Sequence, residues 1–114
     1  MERWDLSAVE VTSIQPLVLA TADQARAILI RLDPGQEYGD HQVLEGAWLL
    51  VLDGSAQVTA GGDSVDAGPG MLLRFGPGER REVRSENGAR LLLMLAPWPA
   101  AGHYRAEERA VGAP

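Results

Sequence analysis

The sequence predicts an all-β domain, a single antiparallel barrel or jelly roll of six to eight strands. Two patterns carry that prediction. Short apolar or alternating runs recur along the chain, each stopped by a cluster of Gly, Pro, Asp or Asn. No stretch keeps a helical period long enough to compete with them.

Ala27 to Leu32 is an apolar run ended by Asp33-Pro34-Gly35, and Ala47 to Leu52 is another, ended by Asp53-Gly54. Ser55 to Ala60 alternates, turns at Gly61-Gly62, and is expected to pair with Asp63 to Asp66. Met71 to Phe75 lies between Pro69-Gly70 and Gly76-Pro77-Gly78. Arg81 to Ser85 and Arg90 to Leu95 flank Asn87-Gly88, the strongest two-residue hairpin signal in the chain. Helix signals are confined to a four-residue capping-box spacing at Ser7 to Glu10 and one turn around Arg105 to Ala110. Residues 1–114 are expected to form one domain, with the barrel core at about 26–98 and a small, polar tail at 99–114.

Two of these runs are apolar on both faces. Alternation sends Ala47, Leu49 and Val51 one way and Trp48, Leu50 and Leu52 the other. Leu91 to Leu95 behaves likewise. A strand apolar on both faces is covered on both sides. The barrel interior supplies one cover, and the N-terminal segment or a second subunit the other. In a chain of 114 residues, too small to cover both faces easily, this predicts a homodimer. Trp4, Trp48 and Trp98 are read as packing or subunit-contact residues before pocket-stacking ones.

Composition narrows the function classes. The net charge is -6 and all ten basic residues are Arg. An acidic chain without a basic run attracts neither nucleic acid nor an anionic membrane surface. The absence of Cys removes disulfides, thiolate nucleophiles and Fe–S clusters. No segment reaches the apolar length of a membrane span, and Met1 to Asp5 lacks a signal-peptide core, so a cytoplasmic location is expected.

The glycine spacing resembles the cupin superfamily. That family's first motif runs Gly, five residues, His, one residue, His, three or four residues, Glu, six residues, Gly. Here Gly35 leads by five residues to His41, then to Val43, Ala47 and Gly54. In the second motif, Gly70 leads to Gly76, Pro77 stands one place late, Gly78 matches, Arg81 replaces the His and Ser85 the Asn. The resemblance covers about Ala27 to Trp98 and implies a jelly-roll barrel with its site inside. It also implies a metal held by three His and one Glu, of which this chain keeps His41 alone. Val43 and Ala47 carry no donor atom, and Arg81 stays protonated and repels a cation. No metal and no other cofactor is therefore expected. Were a metal present, His41, Glu45 and His103 would be its ligands.

The expected ligand is a small polar or anionic organic molecule inside the barrel. Its polar anchors would be His41 and Arg81, with Glu45 near them. Val43 and Ala47, at the lost ligand positions, and Leu49, Val51, Phe75 and Val83 would give the apolar wall. A buried Arg needs a negative partner, which is either Glu45 or a group on the ligand. Two other readings stay open: an isomerase, cyclase or oxygenase using His41, with or without a non-standard metal site, and a structural or regulatory dimer without pocket chemistry.

Overall fold

The computed structural model of the chain describes residues 1–41 and 43–101, the side chains of Asp40 and His41 excepted. Nine strands are present among them: β1 (Leu17–Ala22), β2 (Ala25–Leu32), β3 (Glu37–His41), β4 (Gly46–Gly54), β5 (Ala56–Ala60), β6 (Asp63–Ala67), β7 (Leu72–Phe75), β8 (Arg81–Arg84) and β9 (Ala89–Ala96). They form two antiparallel sheets that face one another, a five-stranded sheet in the order β1-β2-β9-β4-β7 and a four-stranded one in the order β3-β8-β5-β6. No described residue is helical. Among the described residues no helix is long and apolar enough to cross a membrane.

The inward positions of both sheets make one core. Ile28, Ile30 and Leu32 from β2, Leu49 and Val51 from β4, and Leu91, Leu93 and Leu95 from β9 meet Val58 and Val83 from the opposite sheet. Alternation along each strand puts these side chains on one face, and burial of that face is the main drive for the two sheets to close.

Strand count and pairing differ from expectation in three places. β1 begins ahead of the expected core start at residue 26. It is joined to β2 by Asp23-Gln24, both at positive φ (54° and 62°). That is the geometry of a two-residue hairpin turn, made here without glycine. β3 is also additional. Its residues, Glu37-Tyr38-Gly39-Asp40-His41, do not alternate, because it is an edge strand with a register break between Tyr38 and Asp40. Asn87-Gly88 does not close a hairpin: β8 pairs with β3 and β5, whereas β9 pairs with β2 and β4. The turn instead carries the chain from one sheet to the other. The helical turn expected around Arg105 lies outside the described residues.

A second crossing, from β4 to β5, runs beside the first. Ser55 N donates to Gly88 O (3.2 Å), and Ser85 Oγ donates to Ser55 O (2.6 Å). Gly54 sits between them at φ +74°, where a Cβ would fall 2.0 Å from Gly88 O. Only glycine fits there. These two laced crossings close one end of the barrel, and the candidate site lies at the other.

Candidate site at the open end of the barrel

Several strand ends build this site. Ala47 is the register partner of both Phe75 and Leu95, Leu95 is the partner of Arg26, and His41 is the partner of Arg81. The register thus brings the start of β4, the end of β7, the start of β2, the end of β3 and the start of β8 to one end of the two sheets.

Arg81 is the buried charge of the site, 4% exposed. Its guanidinium carbon lies 5.0 Å from the centroid of the Phe75 ring. Its Nη1 is buried and has no hydrogen-bond partner among the described residues. Burial pushes the Arg81 pKa down, and Tyr38 and then Glu79 oppose that shift. Burial pushes the Tyr38 phenol up, while the positive charge of Arg81 pulls it down. Tyr38 is opposite Val83, an inward residue, and packs against the core. Sequence reasoning missed Tyr38. The one available signal was its place two residues before Asp40, in a segment without alternation.

Glu45 is wholly buried, in the loop that leads into β4. Its Oε2 accepts a hydrogen bond from Ala100 N (2.9 Å). The stretch after β9 therefore folds back over this end of the barrel. Trp98 N donates to Gln24 O (2.7 Å), and the Arg26 guanidinium stacks on the Trp98 ring at 3.9 Å. Arg26, Trp98 and the backbone of Ala100 are neighbours of the site that the sequence did not assign to it.

The expected ion pair between Arg81 and Glu45 does not form. Glu45 is committed to the amide of Ala100, while Arg81 faces an aromatic ring. An ion pair does form elsewhere, between Arg31 Nε and Asp33 Oδ1 at 3.3 Å. Ala47, Leu49, Val51, Phe75 and Val83 are all buried in the core, and Val43 packs against it. Register places Leu49 and Val83 one inward step beyond Ala47 and Arg81, so they are packed core beneath the site. Phe75 also lines a pocket of about 160 Å³ with Val58, Val65 and Leu73, rimmed by Asp63, Arg74 and Glu79. It opens where edge strands β6 and β7 of the two sheets meet. The side chain of His41, and all of His103, lie outside the described residues.

The metal that this fold commonly holds does not fit these residues. Two of the four family positions carry Val43 and Ala47, and a third carries the cation of Arg81. Among the described residues no three His, Cys, Asp or Glu side chains converge.

No protein-family model and no curated protein matches the sequence. Solved structures do match. The TT1209 protein of Thermus thermophilus superposes with a TM-score of 0.77 at 25% identity, over 85% of this chain and 98% of its own. The Cnp3 cupin domain of Schizosaccharomyces pombe gives a TM-score of 0.76 at 14% identity, over 91% of this chain and 80% of its own. A cupin superfamily protein of Desulfitobacterium hafniense gives 0.71 at 19% identity, over 80% and 85%. With two facing antiparallel sheets, the glycine frame at its turns and these structural neighbours, the chain has the fold of the cupins.

Proposed function

We propose that this barrel binds a small anionic organic molecule through Arg81, without a metal. The observation that carries the reading is the buried guanidinium whose Nη1 lacks a hydrogen-bond partner and which pairs with no described carboxylate. A buried cation is costly unless something negative or strongly polar sits beside it. A carboxylate or phosphate supplies that partner and can take two parallel N–H donors. The Tyr38 hydroxyl, protonated at neutral pH, adds a second donor to the same region. The neighbouring apolar wall of Phe75, Val58 and Leu73 suits a short hydrocarbon body.

The test is thermal unfolding in the presence of acetate, succinate, benzoate and inorganic phosphate, with chloride at equal ionic strength as control. At least one of the anions is expected to raise the melting temperature in the wild type and to lose that effect in Arg81→Met. Equal responses in both proteins would sink the reading. Elemental analysis separates the alternative: one iron, manganese, nickel or zinc per chain would transfer the assignment to a metal-dependent enzyme built on His41.

A further inference from the structure

The two sheets do not seal against each other on every side. On the outer face of the five-stranded sheet the N-terminal segment is clamped down by Arg90, which donates from Nη2 to Leu6 O (2.7 Å) and Val9 O (2.6 Å). The seam between β6 and β7, by contrast, stays open among the described residues, as a slot of about 160 Å³. These are edge strands of different sheets, and no ladder joins them. Alternation turns Val58 and Val65, register partners on β5 and β6, toward the barrel interior. It does the same for Leu73 and Phe75 on β7, opposite Leu49 and Ala47. Val58 and Phe75 are buried, as inward residues usually are, but Val65 and Leu73 are only half-buried. Two inward apolar side chains are therefore left facing the slot.

Arg81 stands beside this slot. Its guanidinium carbon lies 5.0 Å from the centroid of the Phe75 ring, and that ring is one wall of the slot. Ala60, the register partner of Asp63, lines the slot and also a shallow hollow shared with Arg81. The charge and the slot thus have two neighbours in common. The rim is acidic. Asp63 and Glu79 are exposed there, and Gly76 N donates to Glu79 Oε1 (2.9 Å), which fixes that carboxylate in place. The charge of Glu79 also reaches Arg81. Against these two carboxylates the rim has one cation, Arg74, whose guanidinium carbon lies 5.4 Å from the centroid of the Trp48 ring.

We propose, on the reading of Arg81 as an anion anchor, that the ligand is a monocarboxylate with a short apolar tail, its carboxylate on Arg81 and its tail in the slot between β6 and β7. Size sets the tail. A slot of about 160 Å³ holds roughly five groups of the size of a water molecule, at about 30 Å³ each, so a tail of about four to six carbons fits. Polarity sets its character. A hydrocarbon tail would take the exposed parts of Val65 and Leu73 out of water, whereas a hydroxylated one would leave its hydroxyls without partners along Val58, Val65, Leu73 and Phe75. Charge sets the number of carboxylates. One guanidinium pairs with one carboxylate. A second carboxylate on the far end of the tail would meet Asp63 and Glu79, which outnumber Arg74, and like charges repel. Dicarboxylates and sugar acids are therefore disfavoured.

NMR titration of the isotope-labelled full chain with acetate, butyrate, hexanoate, octanoate and adipate tests this. Affinity is expected to rise roughly fourfold for each methylene added from acetate to hexanoate and to level off by octanoate. Adipate has the six carbons of hexanoate and a second carboxylate, and should bind about tenfold or more weakly than hexanoate. Val65→Phe fills the slot, so hexanoate should then bind no more tightly than acetate. Asp63→Asn with Glu79→Gln, both at exposed positions, should narrow the gap between hexanoate and adipate. Circular dichroism must show each variant folded. Should Val65→Phe fail to fold, Val65→Leu is expected to move the plateau to a shorter tail. Binding of none of the five carboxylates would remove the anion anchor and the tail slot together. Binding of acetate with no gain along the series, adipate equal to hexanoate, a gradient unchanged in the Val65 variants, or a hexanoate–adipate gap untouched by the double variant would each overturn the proposal while leaving Arg81 an anion site.

Discussion

Arg81 rests on Phe75, with 5.0 Å between the guanidinium carbon and the ring centroid. The ring's negative face offsets part of the cost of burying that charge, but it offers no lone pair to Nη1. Among the described residues the arginine is therefore held by packing, by this weak attraction and by the more distant charge of Glu79, with no carboxylate in ion-pair contact. Its replacement has a distinctive expected signature.

Arg81→Met keeps much of the side-chain volume and removes an incompletely satisfied buried charge. Without added anion, such a change should be neutral or stabilising by about 1 kcal/mol, which is roughly 4 °C or more in a domain of this size. Thermal unfolding in a buffer free of carboxylate and phosphate checks it. A drop of several degrees would show that the guanidinium has a strong internal partner.

Tyr38 gives the expected pH dependence. Its folded pKa is raised above the ordinary value near 10, chiefly by burial. The unfolded chain then loses the proton first. The stability tied to Tyr38 is complete below about pH 10 and falls as pH rises through the folded pKa. Urea unfolding at pH 8 and at alkaline pH should show a smaller alkaline loss in Tyr38→Phe than in the wild type. Equal losses would remove Tyr38 from the buried site.

Glu45 anchors the chain that leaves β9. Glu45→Gln keeps an acceptor for Ala100 N, whereas Glu45→Ala leaves that amide without one. The alanine variant should lose about 1–3 kcal/mol, the glutamine variant clearly less. Hydrogen exchange at the Ala100 amide reads the same contact locally. It should speed up in Glu45→Ala, and unchanged protection would show that the strap is held elsewhere.

Gly54 is fixed by both backbone and space. Gly54→Ala would set a Cβ 2.0 Å from Gly88 O at a positive φ. The two crossings would have to part, at a cost of about 3 kcal/mol or more. Gly61→Ala is the control: its φ is also positive, but nothing lies within 4 Å of its Cβ, so its cost should be far smaller. Chemical denaturation of the pair separates crowding from backbone strain.

The barrel class was legible in the sequence because the inner rows obey a simple period. Ala47, Leu49 and Val51 alternate cleanly, and the structure buries all three. β3 was not legible, because an edge strand needs no second apolar row and Gly39 interrupts what pattern there is. Asn87-Gly88 misled because a turn reports only local φ and ψ, while which strands it joins depends on partners far along the chain. At the site, spacing pointed to Arg81 as a buried charge and to Glu45 as its possible neighbour, and the burial of Glu45 was not foreseen. Their separation was invisible, since it depends on Ala100 returning to occupy Glu45, a contact between residues 55 positions apart. The place of Arg26 and Trp98 beside the site was missed for the same reason.

The middle of the five-stranded sheet is β9, the last strand among the described residues, and β2 and β4 hydrogen-bond to it from either side. During synthesis β2 and β4 can pair with β1 and β7, but the edge of each that faces β9 must wait until that strand has emerged. The N-terminal segment waits too, because its clamp, Arg90, belongs to that same strand. On the ribosome this barrel is thus expected to acquire protease resistance in a single late step. A nascent chain stalled before Ala89 should be digested readily, and one released with β9 complete should not.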